Sequence, residues 1–142
     1  MKKYRTGYTQ GVFDMFHIGH LNLINNAKEQ CDHLIVGVNS DDLVASYKHK
    51  KPVINQLERQ TIIANIKAVD ESVIAETLDK VEMWNILHFD AVFIGDDWKG
   101  NPRWEKTSEE LARIGVDVVF LPYTKGVTST TLRPEFEQKI ED

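Results

Sequence analysis

Leu34-Ile35-Val36-Gly37-Val38 and Ala91-Val92-Phe93-Ile94-Gly95 are two short runs that lack the polar and apolar alternation of a half-exposed strand. Such runs are typical of strands buried on both faces, as in parallel sheets covered by helices on either side. Runs rich in β-branched and aromatic residues predict the full strand set: Tyr8–Phe13, His33–Asn39, Glu71–Ala75, Ala91–Gly95 and Asp117–Leu121. The sequence therefore predicts a sheet of five parallel strands.

Segments with helical spacing separate these strands. They are marked by Leu21, Ile24 and Ala27, by Leu57, Ile63 and Ile66, and by Val81, Trp84 and Leu87. Arg103–Ile114 predicts a fourth helix and Ser129–Ile140 a closing one. The order βαβαβαβαβα predicts one α/β domain over residues 1–142, doubly wound and Rossmann-like. In such a sheet the ligand crevice lies where the winding direction reverses, so residues following the first and fourth strands should converge.

Composition and charge are those of an ordinary folded protein. The 142 residues, 42% hydrophobic and 27% charged, are enough for one core but not for a second large domain. A net charge of −5 gives no general attraction to nucleic acid or to an anionic membrane. The apolar runs are far shorter than the ~20 residues that cross a bilayer, and no signal-peptide pattern occurs, so a cytoplasmic protein is expected. The single cysteine, Cys31, is expected to be a buried apolar residue.

The chain after the first predicted strand reads Gly11-Val12-Phe13-Asp14-Met15-Phe16-His17-Ile18-Gly19-His20. His17 and His20 are three residues apart at a predicted helix entrance, so their side chains share one face. Gly19 lets the backbone approach a ligand closely, and the helix N-terminus adds unpaired N–H groups and a positive dipole end. These features favour a bound phosphate, with a helix cap or a metal site as the alternatives for a histidine pair.

The stretch from Asp14 to His20 resembles the HxGH signature of the HIGH-type nucleotidyltransferase superfamily. Between Tyr8 and Arg133 the chain resembles the small cytidylyltransferases, most closely those that act on glycerol 3-phosphate. The resemblance implies transfer of CMP from CTP to a small alcohol phosphate, with His17, His20 and Lys48 as catalytic residues. It also implies a homodimer, formed partly through the segment Lys67–Glu71.

A basic run, Lys48-His49-Lys50-Lys51, follows the second strand and is predicted to form a loop whose lysines reach polyphosphate across the crevice. A solvated run of charge is the alternative. The resemblance places Lys48 at the transition state and Lys50 at a phosphate. The segment that contains Arg59 resembles the family's E-R-x-x-I pattern, and Arg59 is expected either to bind phosphate or to pair with a carboxylate.

Further segments resemble the family's nucleotide site. Gly95-Asp96-Asp97-Trp98 matches its G-D-D-W, although a turn and a core tryptophan would explain the same residues. Tyr123–Thr131 resembles its R-T-E-G-I-S-T-T, with Tyr123 in place of arginine, Lys125 in place of the acid and one extra residue. The resemblance assigns Lys125 and Arg133 to the acceptor. It assigns the remaining nucleotide and phosphate contacts to Gly11, Val12, Phe13, Gly19, Gly95, Asp97, Trp98, Ser129, Thr130 and Thr131.

Mg²⁺ or another divalent cation is expected with the triphosphate, because such sites bind the metal through substrate phosphates and few protein ligands. Asp14 is the nearest candidate carboxylate.

Three alternatives remain open at this point. The first keeps the chemistry but uses choline phosphate, ethanolamine phosphate or another polyol phosphate as acceptor, or ATP as donor. The second is a non-catalytic nucleotide-binding module, and the third is a metal-dependent hydrolase that uses Asp14, His17 and His20. The sequence has no G-x-G-x-x-G, no G-x-S-x-G and no complete P-loop, which argues against dinucleotide-binding proteins, serine hydrolases and P-loop enzymes.

Overall fold

The computed structural model describes residues 2–122, which contain five strands and five α-helices. The strands are β1 (Tyr4–Gly11), β2 (Cys31–Asn39), β3 (Glu71–Ala75), β4 (Ala91–Gly95) and β5 (Asp117–Leu121). The helices are α1 (Ile18–Lys28), α2 (Asp41–Lys48), α3 (Gln56–Ala64), α4 (Lys80–Leu87) and α5 (Pro102–Ala112). All strand pairs are parallel and their order is β3-β2-β1-β4-β5. The predicted α/β fold with a five-stranded parallel sheet is therefore confirmed.

Alternate residues of the central strands pack into two separate cores. Leu34, Val36 and Val38 of β2 lie with Ile24 of α1 and Ile63 of α3 in the first core. The second core lies on the opposite face, where Ile35, Val92 and Ile94 pack with Met83 of α4 and Leu111 of α5. Because both faces are covered, the strands need no polar alternation. Cys31 is fully buried in the first core, and desolvation raises the pKa of its thiol, as expected of an apolar structural residue.

Several helices begin at a side chain that accepts a backbone N–H. Ser40 caps α2 through Leu43 N–H, and Asn55 caps α3 through Glu58 N–H. Asp79 caps α4 in the same way, and Asn101 caps α5 just before Pro102. These caps satisfy donors that have no partner within the helix, so the local sequence fixes where each helix starts.

Three elements differ from the sequence prediction. Strand β2 begins at Cys31 rather than His33. The first strand covers Tyr4–Gly11 rather than Tyr8–Phe13, because Phe13 has a left-handed backbone with φ 53° and cannot continue a strand. The basic run was predicted as a loop, but Lys48 is the last residue of α2. The predicted helices are otherwise present in the described residues; the closing helix Ser129–Ile140 lies outside them.

The winding direction reverses between β1 and β4, which are neighbours in the sheet. The chain runs outward from β1 through β2 to β3 and then returns to the other side of β1. The carboxyl ends of β1 and β4, at Gly11 and Gly95, therefore share one edge, where the sequence placed the crevice. Among residues 2–122, no helix has the length and apolar character needed to cross a membrane.

A substitution at Gly37 tests the packing of β1 against β2. A Cβ at this position would overlap the hydroxyl of Tyr8, which donates to Gln10 Oε1 at 2.6 Å. We expect Gly37→Ala to lower the free energy of unfolding by about 2 kcal/mol, the usual cost of overpacking a core. In a Tyr8→Phe background the same substitution should cost clearly less, because the overlapping oxygen is absent. Urea denaturation of the four proteins measures both costs, and equal costs in the two backgrounds would contradict this account.

Candidate active site

His17 and His20 are held together at the start of α1. His17 is the N-cap residue, and its Nδ1 accepts from Gly19 N–H at 3.0 Å. His20 Nδ1 in turn accepts from His17 N–H at 3.3 Å, a reciprocal arrangement of the capping-box type. The two rings stack with centroids 3.9 Å apart, so the predicted shared face is confirmed.

The hydrogen bonds of the two imidazoles define their protonation. Each Nδ1 accepts a backbone N–H and therefore carries no proton, which leaves Nε2 as the N–H donor of each neutral ring. Desolvation by burial lowers the pKa of His17. Desolvation, followed by the charge of His17, lowers the pKa of His20 from 6.5 to about 3. Both rings are thus neutral donors at physiological pH.

The Nε2 atom of His17 is shielded from solvent and has no hydrogen-bond partner in the described part of the chain. Buried polar atoms are almost always hydrogen-bonded, so this donor is available to an acceptor that a ligand brings. It lies at a helix N-terminus, where the dipole and the free N–H groups favour an anion. A phosphate oxygen meets both requirements.

Aromatic rings hold His20 in place. Phe13 meets its ring edge-on with centroids 5.4 Å apart, and Phe16, which sequence reasoning did not single out, lies 5.3 Å away. Gly11 leaves room for the Phe13 ring, because a Cβ there would lie 3.1 Å from that ring. Phe13 thus orients a histidine, and Gly11 makes space for Phe13; their predicted contacts with nucleotide stay predictions.

Lys48 and Lys50 lie on either side of the α2 terminus. Lys48 is half-buried at the end of α2, and His49 closes the helix with a left-handed backbone at φ 59°. Lys50 is exposed in the segment between α2 and α3, residues 49–55, which we call the basic loop. The predicted loop character therefore holds for Lys50 but not for Lys48, which α2 presents from a helix end.

Arg59 is not placed as a phosphate ligand. The residue is 1% exposed. Its guanidinium donates to the carbonyls of Ile54, Val12 and Asn39, each at 2.8 Å, and to Asp41 Oδ1 at 2.6 Å. Of its two predicted roles the structure shows the pairing with a carboxylate, because these acceptors engage the guanidinium inside the protein. The same contacts occupy the carbonyl of Val12, which is itself buried.

Asp14 is placed differently from a metal ligand as well. It is 3% exposed, and its two oxygens accept from Val53 N–H at 2.8 Å and Ile54 N–H at 2.9 Å. Residues 2–122 contain no group of three or more His, Cys, Asp and Glu side chains able to hold a metal ion. Asp14, His17 and His20 are therefore not grouped as the three protein ligands that a metal-dependent hydrolase needs.

The segment after β4 lies at the predicted edge, but its tryptophan faces the protein interior. Gly95 ends β4, and a short 3₁₀ turn over Asp96–Trp98 follows it. Trp98 is buried in the second core with the guanidinium carbon of Arg103 5.7 Å from its ring. The alternative of a core tryptophan thus describes this residue, while the nucleoside contacts of Gly95, Asp97 and Trp98 stay predictions.

The remaining predicted contacts fall outside the described residues. These are Lys125, Ser129, Thr130, Thr131 and Arg133. Within residues 2–122 the structure brings together the histidine pair, Gly19 and the ends of β1 and β4 at one edge of the sheet.

Sequence reasoning missed a buried polar network beside this edge. Gln10 Nε2 donates to Asn39 Oδ1 at 2.8 Å and to the Thr77 carbonyl at 2.9 Å. Asn39 Nδ2 reaches the Tyr47 hydroxyl at 3.3 Å, next to Lys48. An amide residue at the end of each of two apolar strands was the available signal, since buried amides require partners.

The low pKa of His20 predicts an acid-sensitive fold. Below pH 6.5 the unfolded chain binds a proton at His20 that the folded chain does not, so stability falls as the pH falls. From pH 7 to pH 5 this effect amounts to about 2 kcal/mol. Asn can keep an acceptor near the position of Nδ1 without titrating, so His20→Asn should lose correspondingly less stability over that range in urea denaturation. Equal losses of stability in His20→Asn and the wild-type protein over this range would contradict this account.

Comparisons with known proteins identify the family. A model of the family described as "Cytidylyltransferase-like" matches residues 8–135. Glycerol-3-phosphate cytidylyltransferase of Bacillus subtilis (strain 168) is 33% identical over 128 residues, which are 89% of this chain and 93% of that protein. The bifunctional protein HldE of a Nitratiruptor species is 34% identical over 129 residues, 90% of this chain but 27% of the relative, so the chain spans about a quarter of that protein's length.

A solved structure agrees on the fold. The lipopolysaccharide core biosynthesis protein from Thermoplasma volcanium GSS1 superposes with a TM-score of 0.71 at 23% identity. The match covers 87% of this chain and 99% of that one. The family match, the paired histidines and the parallel sheet lead to one conclusion: the chain belongs to the cytidylyltransferase-like family of HIGH-type nucleotidyltransferases.

Proposed function

We propose that this nucleotidyltransferase transfers CMP from CTP to a small alcohol phosphate, with glycerol 3-phosphate as the acceptor and CDP-glycerol and pyrophosphate as the products. A phosphate oxygen of the acceptor forms a bond to the α-phosphorus of CTP, and the bond from that phosphorus to the β-phosphate bridging oxygen breaks. Pyrophosphate leaves with the electron pair. The protein's work in such a transfer is positioning and charge stabilisation.

The observation that carries this proposal is the shielded Nε2–H of His17, which lacks an acceptor among the described residues. A neutral donor fixed at a helix N-terminus supports charge that develops on an α-phosphate oxygen without itself needing a proton transfer. The cap hydrogen bond at Nδ1 holds the ring in the required tautomer before substrate arrives. His20 supplies a second neutral ring from the same face.

Lysine charge complements these neutral donors. In a chain of net charge −5, Lys48 at the end of α2 and Lys50 in the basic loop supply local positive charge. We assign Lys48 to the charge on the α-phosphate and the leaving pyrophosphate, and Lys50 to a terminal phosphate. Ser129, Thr130 and Thr131 are assigned to phosphates, and Lys125 and Arg133 to the acceptor.

The metal belongs to the substrate in this proposal. Mg²⁺ binds triphosphates through their own oxygens and keeps several waters, so it needs few protein ligands. A homodimer and a cytoplasmic location, where CTP is available, complete the proposal.

The acceptor is supported by the relative from Bacillus subtilis, which the chain matches over nearly the whole length of both proteins. The chain also matches the bifunctional protein HldE at a similar identity, over 27% of that protein's length. The second candidate function is therefore the same transfer with a different acceptor or nucleotide. A direct substrate comparison separates the two.

Pyrophosphate release with Mg²⁺ tests the reaction. CTP, ATP, UTP and GTP are each paired with glycerol 3-phosphate, choline phosphate, ethanolamine phosphate and ribitol 5-phosphate. We expect turnover with CTP and glycerol 3-phosphate. Turnover with another pair would replace the acceptor or nucleotide, and no turnover from a protein that still binds CTP would contradict the proposed reaction.

His17→Asn is the most specific inactive control for this assay. Asparagine is a good N-cap and keeps an acceptor for Gly19 N–H, but it has no donor at the position of Nε2. We expect its kcat to fall by about 100-fold or more with a nearly unchanged melting temperature. His17→Ala, which also loses the cap, should add a stability loss of about 1 kcal/mol.

Lys48→Ala tests the assigned cation. Loss of a charge that acts in the transition state should lower kcat and kcat/KM together by about 100-fold. Lys106→Ala removes an exposed lysine on α5 and serves as the matched control, with wild-type kinetics expected. A fall in kcat/KM through KM alone would instead place Lys48 in ground-state binding.

A further inference from the structure

The carboxylate of Asp14 joins two loops that are distant in sequence. Asp14 lies in residues 12–17, which we call the histidine loop because they end at the N-cap histidine. Its oxygens accept from consecutive amides of the basic loop, Val53 and Ile54. One buried side chain therefore binds the loop that carries His17 to the loop that carries Lys50.

Arg59 also joins these two loops. Its Nη1 donates to the carbonyl of Val12, in the histidine loop, and its Nε donates to the carbonyl of Ile54. Ile54 therefore gives its N–H to Asp14 and its carbonyl to Arg59. The basic loop is fixed at this residue through both of its backbone groups.

A separate contact fixes the end of α2, just before the basic loop. Tyr47 directly precedes Lys48, and its hydroxyl accepts from Asn39 Nδ2. Asn39 Oδ1 in turn accepts from Gln10 Nε2. Arg59 Nη1 also donates to the Asn39 carbonyl at 2.8 Å. The lysines thus lie between an anchor at Tyr47 and an anchor at Val53 and Ile54.

The histidine loop needs this support, because its backbone is strained. Phe13 and Met15 have φ values of 53° and 50°, left-handed conformations that cost a bulky L-residue about 1–2 kcal/mol each. Asp14 lies between them. Its hydrogen bonds are placed to hold the conformation that the flanking residues would otherwise leave.

We propose that Asp14 and Arg59 are positioning residues that set the placement of the histidine pair relative to Lys48 and Lys50. This inference rests on the proposed function. Each side chain acts through backbone groups of the loops: Asp14 through the Val53 and Ile54 amides, and Arg59 through the Val12 and Ile54 carbonyls. Alignment of this kind matters because a misplacement of about 1 Å can cost 100-fold in rate.

Asp14→Asn is the main test. The amide keeps one acceptor oxygen and turns an NH₂ group toward the other backbone donor, so only one of the two hydrogen bonds can remain. We expect hydrogen exchange at the Val53 and Ile54 amides to accelerate by about tenfold or more. We also expect kcat to fall by about 10- to 100-fold while the KM for acceptor changes by less than about threefold.

Two readouts separate positioning from other roles. A metal ligand at Asp14 predicts a higher half-saturating Mg²⁺ concentration in the variant, whereas positioning predicts an unchanged one. Positioning through Lys48 also predicts that Asp14→Asn lowers activity much less in a Lys48→Ala background than in the wild type. If Asp14→Asn acted only by lowering stability, its effect on activity would be the same in both backgrounds.

Asp79→Asn is the matched control. Asp79 also accepts two backbone N–H groups, from Val81 and Glu82, but at the start of α4. It should keep wild-type kcat and wild-type exchange at Val53 and Ile54. If Asp14→Asn fails to fold, Arg59→Lys replaces it, because lysine keeps the charge but cannot reach the separate acceptors at once; we expect the same accelerated exchange and the same selective loss of kcat.

The outcomes are distinct. Unchanged exchange at Val53 and Ile54, or a raised Mg²⁺ requirement with those amides still protected, would overturn the positioning role. A wild-type protein without turnover would reject the proposed reaction, and the exchange measurement would still decide whether Asp14 joins the loops.

Discussion

Burial of the sheet on both faces confines the polar groups of the site to one edge. The inner strands place apolar side chains in a core above and a core below, so the interior of the sheet has little room for charge. Polar side chains that are to contact a ligand must then lie in the loops after the strands. Because the winding reverses between β1 and β4, the loops that follow these two strands meet at the same edge.

The first of those loops combines a structural and a chemical task in one residue. His17 caps α1 through Nδ1, and that hydrogen bond leaves Nε2 as the donor. Burial then lowers the pKa of the ring and keeps it neutral. The same contact that starts the helix therefore decides which nitrogen of the neutral ring carries the proton.

The sequence predicted the sheet well because its signal is local. The bounds of β3, β4 and β5 agree with the predicted runs, because each run is rich in apolar and β-branched residues, and β4 is buried along its whole length. Helix α2 was missed because the lysines at its end suggested a loop. The signals for this helix were nevertheless present. Ser40 is a good N-cap residue, and Asp41 and Asp42 in the first turn with Lys48 in the last turn give the charge order that suits a helix dipole.

The histidine pair was predictable from spacing, whereas the contacts of Asp14 and Arg59 were not. His17 and His20 are three residues apart, so one turn of helix brings them together. Asp14 and Ile54 are 40 residues apart, and Arg59 and Val12 are 47 apart. Nothing local in the sequence specifies that a carboxylate and a guanidinium meet both backbone groups of one residue. The type of residue suggested a metal for Asp14 and either a phosphate or a carboxylate for Arg59, and of these the structure shows the carboxylate, Asp41.

The cost of burying these two charges explains their hydrogen bonds. A buried guanidinium or carboxylate is unfavourable unless its donors or acceptors are satisfied, and removing one partner of a buried pair costs about 3–5 kcal/mol. Arg59 donates to three carbonyls and to the Asp41 carboxylate, and Asp14 accepts from two amides, so both charged groups are hydrogen-bonded inside the protein, mostly to backbone. The loops thereby gain a defined geometry before any ligand binds. The hydrogen bonds of Asp14, which lies between Phe13 and Met15, hold this strained stretch of backbone in one conformation.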